Sequence, residues 1–323
     1  MLISVGALII GFIIDLILGD PRSIPHPVVI IGKLISFLEK ILRKAFPKTV
    51  RGENLAGLVL WIIVCVLSFG VPFALLLLCR RVGWWLELIL ASIMCWQILA
   101  TKSLKDESMK VYKALLHEGT VAGRRAVSMI VGRDTENLTR EGVIKATVET
   151  VAENSSDGVV APMLFAAIGG APLGMLYKAV NTMDSMLGYV EEPYKNIGLV
   201  PAKMDDIFNF IPARLSAMIM LIAGWFLKLD VKNGWKIFKR DRMKHASPNS
   251  AQTESCLAGL LDVQLAGDAW YHGVLHKKEF IGDDIRPVKL TDIPMSCKVM
   301  YVMAALSMAL CCWIRLMIVI ALV

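Results

Sequence analysis

The chain has 323 residues, of which 56% are hydrophobic and 20% charged, with a mean hydropathy of +0.59 and a net charge of +7. A soluble globular chain runs at roughly 45–50% apolar and about 25% charged. The composition therefore excludes intrinsic disorder and a collagen-like repeat, argues against a freely soluble protein, and makes membrane spans the first thing to look for.

Six stretches carry the apolar excess: 2–18, 55–79, 84–100, 160–177, 212–227 and 300–323. Their only charges are Asp15, Glu87, Arg214 and Arg315. A spanning helix needs about 20 apolar residues. Segment 2–18 is marginal in length and lacks the basic n-region of a secretory signal, so it is expected to be retained. Segment 55–79 spans easily, and Arg80-Arg81-Val82-Gly83 turns it into 84–100 as a helical hairpin. Segments 160–177 and 212–227 are broken or short, with Gly169, Gly170 and Pro172 in the first and Pro212 opening the second. Such pieces are expected to be re-entrant or buried against protein. Segment 300–323 is a terminal span in which Arg315 is expected to snorkel to one end. Spans 2–18, 55–79, 84–100 and 300–323 thus define an all-α, polytopic integral membrane protein with long helical connections, treated as one domain over 1–323.

The connections are as charged as a soluble surface. Gly19 to Pro27 holds three prolines and forces a tight path. It is either a structured turn or a rigid site edge presenting Asp20 and His26. Connection 101–159 is expected to be helical, ending with Glu141, Lys145, Glu149 and Glu153 in four-residue steps along one side. Ile144, Val148 and Val151 fall on another side and are expected to pack. The row is either a solvated face or part of a site. Glu153-Asn154-Ser155-Ser156-Asp157 precedes the broken segment, where these side chains are expected to cap a following helix whose start attracts anions.

Over 178–189 the spacing predicts an amphipathic helix. Lys178, Asn181, Asp184, Ser185 and Gly188 lie on one arc, and Ala179, Val180, Met183, Met186 and Leu187 on the other. A face of short Asn, Asp and Ser side chains favours a ligand over plain solvent. Asp205 and Asp206 lie about one turn before Asn209, a donor set suited to Mg²⁺. Arg214 enters an apolar stretch, so an anionic partner is expected. Arg240 to Ser250 gathers three cations, Arg240, Arg242 and Lys244, with His245, Ser247 and Asn249, either a basic loop near lipid headgroups or a phosphate site with a proton carrier.

Lys and Arg favour cytoplasmic connections. Connection 19–54 carries seven Lys/Arg against three acids, which places it and 101–159 in the cytoplasm. No basic stripe with interleaved aromatics occurs, which argues against nucleic acid. The seven cysteines include no C-x-x-C pair, so no zinc or redox centre is expected. A P-loop, H-E-x-x-H and G-x-S-x-G are all missing from the sequence.

Taken together, several of these pieces resemble the CobD/CbiB family of cobalamin biosynthesis, the adenosylcobinamide-phosphate synthases. The resemblance rests on Gly19-Asp20-Pro21 with Pro25-His26-Pro27-Val28, on Val148 through Pro162, and on Gly169-Gly170-Ala171-Pro172. It continues through Tyr177 to Met186, Asp205-Asp206 to Arg214, and His245 to Asn249. After Asn249 the pattern departs: Ser250-Ala251-Gln252-Thr253-Glu254 keeps only the glutamate.

The resemblance implies an acid–amine ligase. It joins adenosylcobyric acid, a corrinoid, to (R)-1-amino-2-propanol phosphate with ATP and Mg²⁺, at the cytoplasmic side of the cell membrane. On this basis Glu149, Glu153, Asn154, Asp157 and His245 are candidate catalytic residues. Asp20, His26, Ser155, Lys178, Asn181, Ser185, Arg214, Lys244, Ser247 and Asn249 are candidates for substrate and phosphate, and Asp184, Asp205 and Asp206 for metal. Other cobalamin-assembly enzymes are candidate partners beside the lipid bilayer. A transporter and a non-catalytic corrinoid scaffold are the alternatives. A transporter places ionisable groups inside its spans, and here nearly all lie in the connections.

Overall fold

The computed structural model describes residues 3–21, 25–271 and 273–321. Arg22, Ser23 and Ile24 of the proline-rich turn lie outside the described residues. In chain order the helices are α1 (Ile3–Leu18), α2 (Pro27–Ala45), α3 (Val50–Val82), α4 (Trp84–Gln97), α5 (Thr101–His117), α6 (Thr120–Val127) and α7 (Arg140–Ser155). A π-helical turn, Ser156–Val160, leads into α8 (Ala161–Leu187), followed by α9 (Leu199–Phe226), α10 (Val231–Asp241) and α11 (Ser250–Leu260). Four short strands come next, β1 (Leu265–Ala266), β2 (Ala269–Tyr271), β3 (Val274–His276) and β4 (Phe280–Ile281), and α12 (Asp292–Ala321) closes the order. The protein is all-α and multi-pass. Among the described residues, five helical runs are long and apolar enough to cross a membrane: Val50–Val82, Trp84–His117, Arg140–Leu187, Leu199–Phe226 and Asp292–Ala321.

The chain divides into two compact units. The first comprises Met1–Ala100, Ala161–Asn209 and Met308–Val323, and the second Thr101–Val160 and Phe210–Ser307.

In the first unit, α3 is 33 residues long, about 50 Å at 1.5 Å per residue. Gly83 ends it and starts α4, so the expected hairpin forms at the expected turn. The 16 residues of α1 reach only about 24 Å, short of a roughly 30 Å hydrocarbon core, so segment 2–18 is an apolar helix below spanning length. This helix packs on α4, where Gly11 lies against the backbone of Trp96; any Cβ there would collide with it. Ile31 and Ile35 of α2, Leu60 and Val64 of α3, and Val180, Met183 and Leu187 of α8 form a buried core. The apolar arc expected for 178–189 is the face that packs there.

Helix α8 kinks where its composition breaks. Gly170 adopts φ 73°, and Pro172 cannot donate to the carbonyl of Ile168. Arg315 of α12 supplies the missing donor, bonding the carbonyl of Ile168 at 2.9 Å and the Ser4 hydroxyl at 2.8 Å. This guanidinium is therefore tied to protein groups instead of snorkelling, because the kink leaves an acceptor that a cation satisfies.

In the second unit α5, α6 and α7 pack together, and α10 packs on α11. Every residue of α11 is buried, although the helix carries Ser, Gln, Thr and Glu. The strands, which the sequence did not suggest, form two antiparallel pairs. Leu265 pairs with Ile281, and Trp270 with Leu275.

One expectation is overturned. The polar run Glu153–Asp157 does not start a helix, because α7, the π turn and α8 form one unbroken run from Arg140 to Leu187. Its side chains bond backward instead: Asn154 Nδ2 donates to the Thr150 carbonyl at 3.0 Å, and Ser155 Oγ to the Val151 carbonyl at 2.6 Å. Amides inside a continuous helix are already paired, so no anion-binding terminus exists there.

Candidate functional site

The second unit contains a polar cavity of about 130 Å³. Helix α7 contributes Glu149, Thr150, Glu153 and Asn154, two pairs each one turn apart on the same side. Helix α11 contributes Glu254, the turn before α7 gives Arg133, and the loop between α10 and α11 gives His245. Ala266, Tyr271 and Lys278 of the strand region complete the lining.

Burial decides the chemistry of this cavity. Glu149 is 6% exposed, and a carboxylate at that depth needs partners. It has two: the Arg133 guanidinium and the Ala266 N–H, which donates at 2.8 Å. Glu149 in turn holds the Arg133 guanidinium above its ordinary range, against a burial effect that lowers it. Glu153 accepts from Ser250 Oγ at 2.7 Å. Lys278 donates to Tyr271 Oη at 2.8 Å.

Burial pushes the Glu254 carboxyl well above the usual carboxylate range, and the charges of Glu153 and Glu149 push it further; Arg133 and Lys278 oppose them. The same burial lowers the His245 imidazole, with Glu153 opposing. His245 Nδ1 accepts the Ser247 N–H at 3.1 Å, which puts the proton of the neutral ring on Nε2. The cavity thus combines an acid biased toward its protonated form, an imidazole biased toward its neutral form and two hydrogen-bonded glutamates.

Of the candidate catalytic residues, Glu149, Glu153, Asn154 and His245 come together in this cavity. Asp157 lies in the π turn, half-buried. Ser247 and Asn249 lie in the His245 loop. Arg214 donates to Asn249 Oδ1 at 3.2 Å and stacks 3.5 Å from the Phe210 ring centre. Its partners among the described residues are thus an amide, a ring and the Phe210 carbonyl, where an anion was expected. Hydrogen bonding and a π face share the work of stabilising this guanidinium.

The basic run 240–244 is largely neutralised within the fold. Asp241, fully buried, accepts from Arg240, Lys244 and the Gly282 N–H. These contacts outweigh its burial and bring its carboxyl down to about 2. Lys244 is 2.9 Å from Asp241 and 3.9 Å from Glu279.

The remaining candidates belong to the first unit. His26 Nδ1 caps α2 by accepting the Val28 N–H at 3.3 Å, and its Nε2 lies 3.5 Å from Asp20. The Asp20–His26 pairing is therefore present, while residues 22–24 of the expected turn lie outside the described residues. Lys178, Asn181 and Asp184 are half-buried on α8, and Ser185 is exposed. Asp205 Oδ2 accepts from Asn209 Nδ2 at 2.9 Å, and Asn209 Oδ1 accepts from Tyr177 Oη at 2.8 Å. Asp206 is half-buried beside them. Among the described residues no three His, Cys, Asp or Glu side chains gather closely enough to cage a metal ion.

Arg133, Glu254, Tyr271 and Lys278 were not foreseen as cavity residues. Glu254 had one signal, as the sole survivor of the departed motif after Asn249. The others are single polar residues in loops and short strands, and only folding brings them to α7.

A multi-pass helical membrane protein with an acid–imidazole cavity is the class these features define. The CobD/Cbib protein family matches residues 8–300. A cobalamin biosynthesis protein CobD from Clostridium perfringens (strain 13 / Type A) is 44% identical over 308 residues, covering 95% of this chain and 97% of the relative. CobD of Photorhabdus laumondii is 40% identical, covering 98% and 99%. The cobalamin biosynthesis protein CbiB of Salmonella typhimurium is 41% identical, covering 93% and 94%. No solved structure matches the chain. The chain belongs to the CobD/CbiB family and has a role in cobalamin biosynthesis.

Proposed function

We propose that the protein is the ligase that joins adenosylcobyric acid to (R)-1-amino-2-propanol phosphate, with hydrolysis of ATP, on the cytoplasmic side of the cell membrane. The observation that carries this reading is the cavity on α7 and α11. Amide formation from a carboxylate is uphill in water, so the acid must be activated, and the amine must lose a proton before it attacks. A polar pocket that brings carboxyl groups and an imidazole together suits that proton transfer.

ATP and Mg²⁺ come into the proposal from the family resemblance. Asp184 on α8 and Asp205 and Asp206 on α9 are hard oxygen donors, and their chemistry fits Mg²⁺, which keeps several waters and needs only one or two carboxylates beside phosphate. Mg²⁺ there supplies charge neutralisation for the phosphates. Asp205 is oriented by Asn209, which Tyr177 holds in turn. Lys178 and Arg214 are the proposed phosphate cations, with Asn249 fixing Arg214.

Purified protein in detergent, given adenosylcobyric acid, aminopropanol phosphate and Mg-ATP, tests the reaction. Adenosylcobinamide phosphate is the expected product. If this chain makes none while a relative under the same conditions does, the ligase reading fails and a scaffold role takes its place. Orientation has its own test: a Lys195→Cys variant should resist an impermeant thiol reagent in intact cells, and labelling from outside would overturn the cytoplasmic placement.

A further inference from the structure

Glu254 is the one cavity carboxyl whose partners the fold does not supply. It is 6% exposed, lines the cavity, and accepts no hydrogen bond among the described residues. Its neighbours are provided for. Glu149 has Arg133 and the Ala266 N–H, Glu153 has Ser250, and Asn154 gives its amide hydrogen to Thr150, which leaves its oxygen as an acceptor. A buried acid without a donor is costly to the fold. Its retention on a fully buried helix points to a partner that arrives from outside.

Size and charge identify that partner. About 130 Å³ is well below the roughly 300 Å³ at which pockets begin to hold drug-sized ligands. A nucleotide or a corrinoid does not fit, and an aminoalkyl group does. Three acceptors of the Glu153, Glu254 and Asn154 type match the three N–H donors of a primary ammonium. Lys278, on the same lining, suits an anionic tail.

We infer that this cavity is the subsite for a primary aminoalkyl substrate carrying an anionic tail, and that Glu254 is the catalytic residue that takes the proton from its ammonium. The inference rests on the amide-forming reading above. In the step, one N–H bond of R–NH₃⁺ breaks and an O–H bond forms on the Glu254 carboxylate. The electron pair stays on nitrogen and forms the C–N bond at the acyl carbon, which ATP has activated as an acyl phosphate; the C–O bond to phosphate breaks, and the phosphate leaves with that electron pair and the second amine proton. His245 is the weaker base here, because its Nδ1 lone pair is occupied by the Ser247 N–H and its neutral ring offers a donor.

In the free cavity, burial and the charges of Glu153 and Glu149 bias Glu254 toward its protonated form. The groups around it are Glu149 and Glu153 from α7, Arg133 from the preceding turn, His245 from the loop before α11, and Tyr271 and Lys278 from the strand region. An ammonium brought among them favours the ionised acid. Binding therefore releases the Glu254 proton to solvent, and catalysis returns one from the amine.

Calorimetry on the full-length protein in detergent, with 1-amino-2-propanol phosphate at pH 7 in two buffers of different ionisation enthalpy, reads this release. The expected result is about one proton released per amine bound. Glu254→Gln keeps the shape and should bind the amine roughly tenfold or more weakly, with no release. Glu254→Asp should restore part of both. In turnover, the Glu254→Gln rate should climb about tenfold per pH unit from 7 to 9 as free amine forms in solution, while the native rate stays flatter.

Unchanged affinity in Glu254→Gln, or amine binding without proton release, overturns the inference. So does equal release on adding Mg²⁺ alone, which would make the cavity a metal site. The binding readout needs no amide formation. Proton-linked binding without product would defeat the ligase reading alone, and normal product from Glu254→Gln would defeat only the role of Glu254.

Discussion

Helix α3 and the run from α7 to α8 reverse the usual relation between apolarity and burial. The most apolar window of α3 has a mean hydropathy of 2.8 and is only 17% buried, whereas that of Arg140–Leu187 has 1.9 and is 67% buried. In a soluble protein the apolar helix goes inside. Here lipid takes that role, and the protein interior is left for polar chemistry. Val66, Val71 and Leu78 of α3 are exposed, while Glu149, Thr147 and Thr150 of α7 are buried. High hydropathy in this chain therefore marks contact with the bilayer, and buried polarity marks the site.

The largest effect that sharpens this contrast is expected at Glu149. Glu149→Ala leaves the half-buried Arg133 without its partner and the Ala266 N–H without its acceptor. Breaking a buried pair from one side costs about 3–5 kcal/mol. Thermal unfolding in detergent should show a large loss, and turnover should vanish. A variant of native stability would mean that the α7 interior tolerates an orphaned cation, and the contrast with α3 would collapse.

A smaller loss is expected at the α8 kink. Arg315→Leu removes the donor on the Ile168 carbonyl, which Pro172 has already deprived of its helical partner. A hydrogen bond from a charged donor contributes about 1.5–3 kcal/mol. Gly170→Ala, forced to hold φ 73°, should cost about 1–2 kcal/mol by itself. Both variants can be ranked against Glu149→Ala by the same unfolding measurement, and an Arg315→Leu protein as stable as the native one would show that the guanidinium is not what satisfies the kink.

These two sites also show what the sequence made legible. The hairpin at Gly83 was readable because an uninterrupted apolar run ends in Arg80-Arg81-Val82-Gly83. The break at Gly169-Gly170-Ala171-Pro172 was readable because backbone chemistry is local. The continuity of α7 into α8 was not. Ser, Asn and Thr look like capping residues in composition, and only their choice of acceptor separates a cap from a helix interior. Thr147, Thr150, Asn154 and Ser155 all bond carbonyls four residues back, the helix-interior choice. On the site side, the i,i+4 step from Glu149 to Glu153 was visible. The convergence of residues 133, 254 and 278 on it depends on tertiary packing that no local pattern encodes.

Stability against pH probes the interior acid more gently. In the unfolded chain Glu254 ionises near the usual value of 4.5, while in the fold burial keeps it protonated to well above that. Its contribution is therefore fully present below pH 4.5 and declines as pH rises toward the raised folded value. Glu254→Gln is neutral throughout, so it should match the native protein near pH 4.5 and unfold a few degrees higher at pH 8, at roughly 2–4 °C per kcal/mol. Equal midpoints at pH 8 would mean that Glu254 is ionised inside the fold.

The smallest effect is expected on the lipid side. Val66 of α3 is 63% exposed, so Val66→Ala removes two methyl carbons from a surface that meets lipid and opens no cavity. A surface change of this kind stays within about 0.5 kcal/mol. An unfolding midpoint within a degree or two of native is the result consistent with a lipid-facing α3. A loss of about 2 kcal/mol or more has a different physical meaning. It is the size of a cavity left in packed protein, and it would show that the outer face of α3 is covered by another chain, so that the least buried of the five spanning-length runs is buried after all in an assembly.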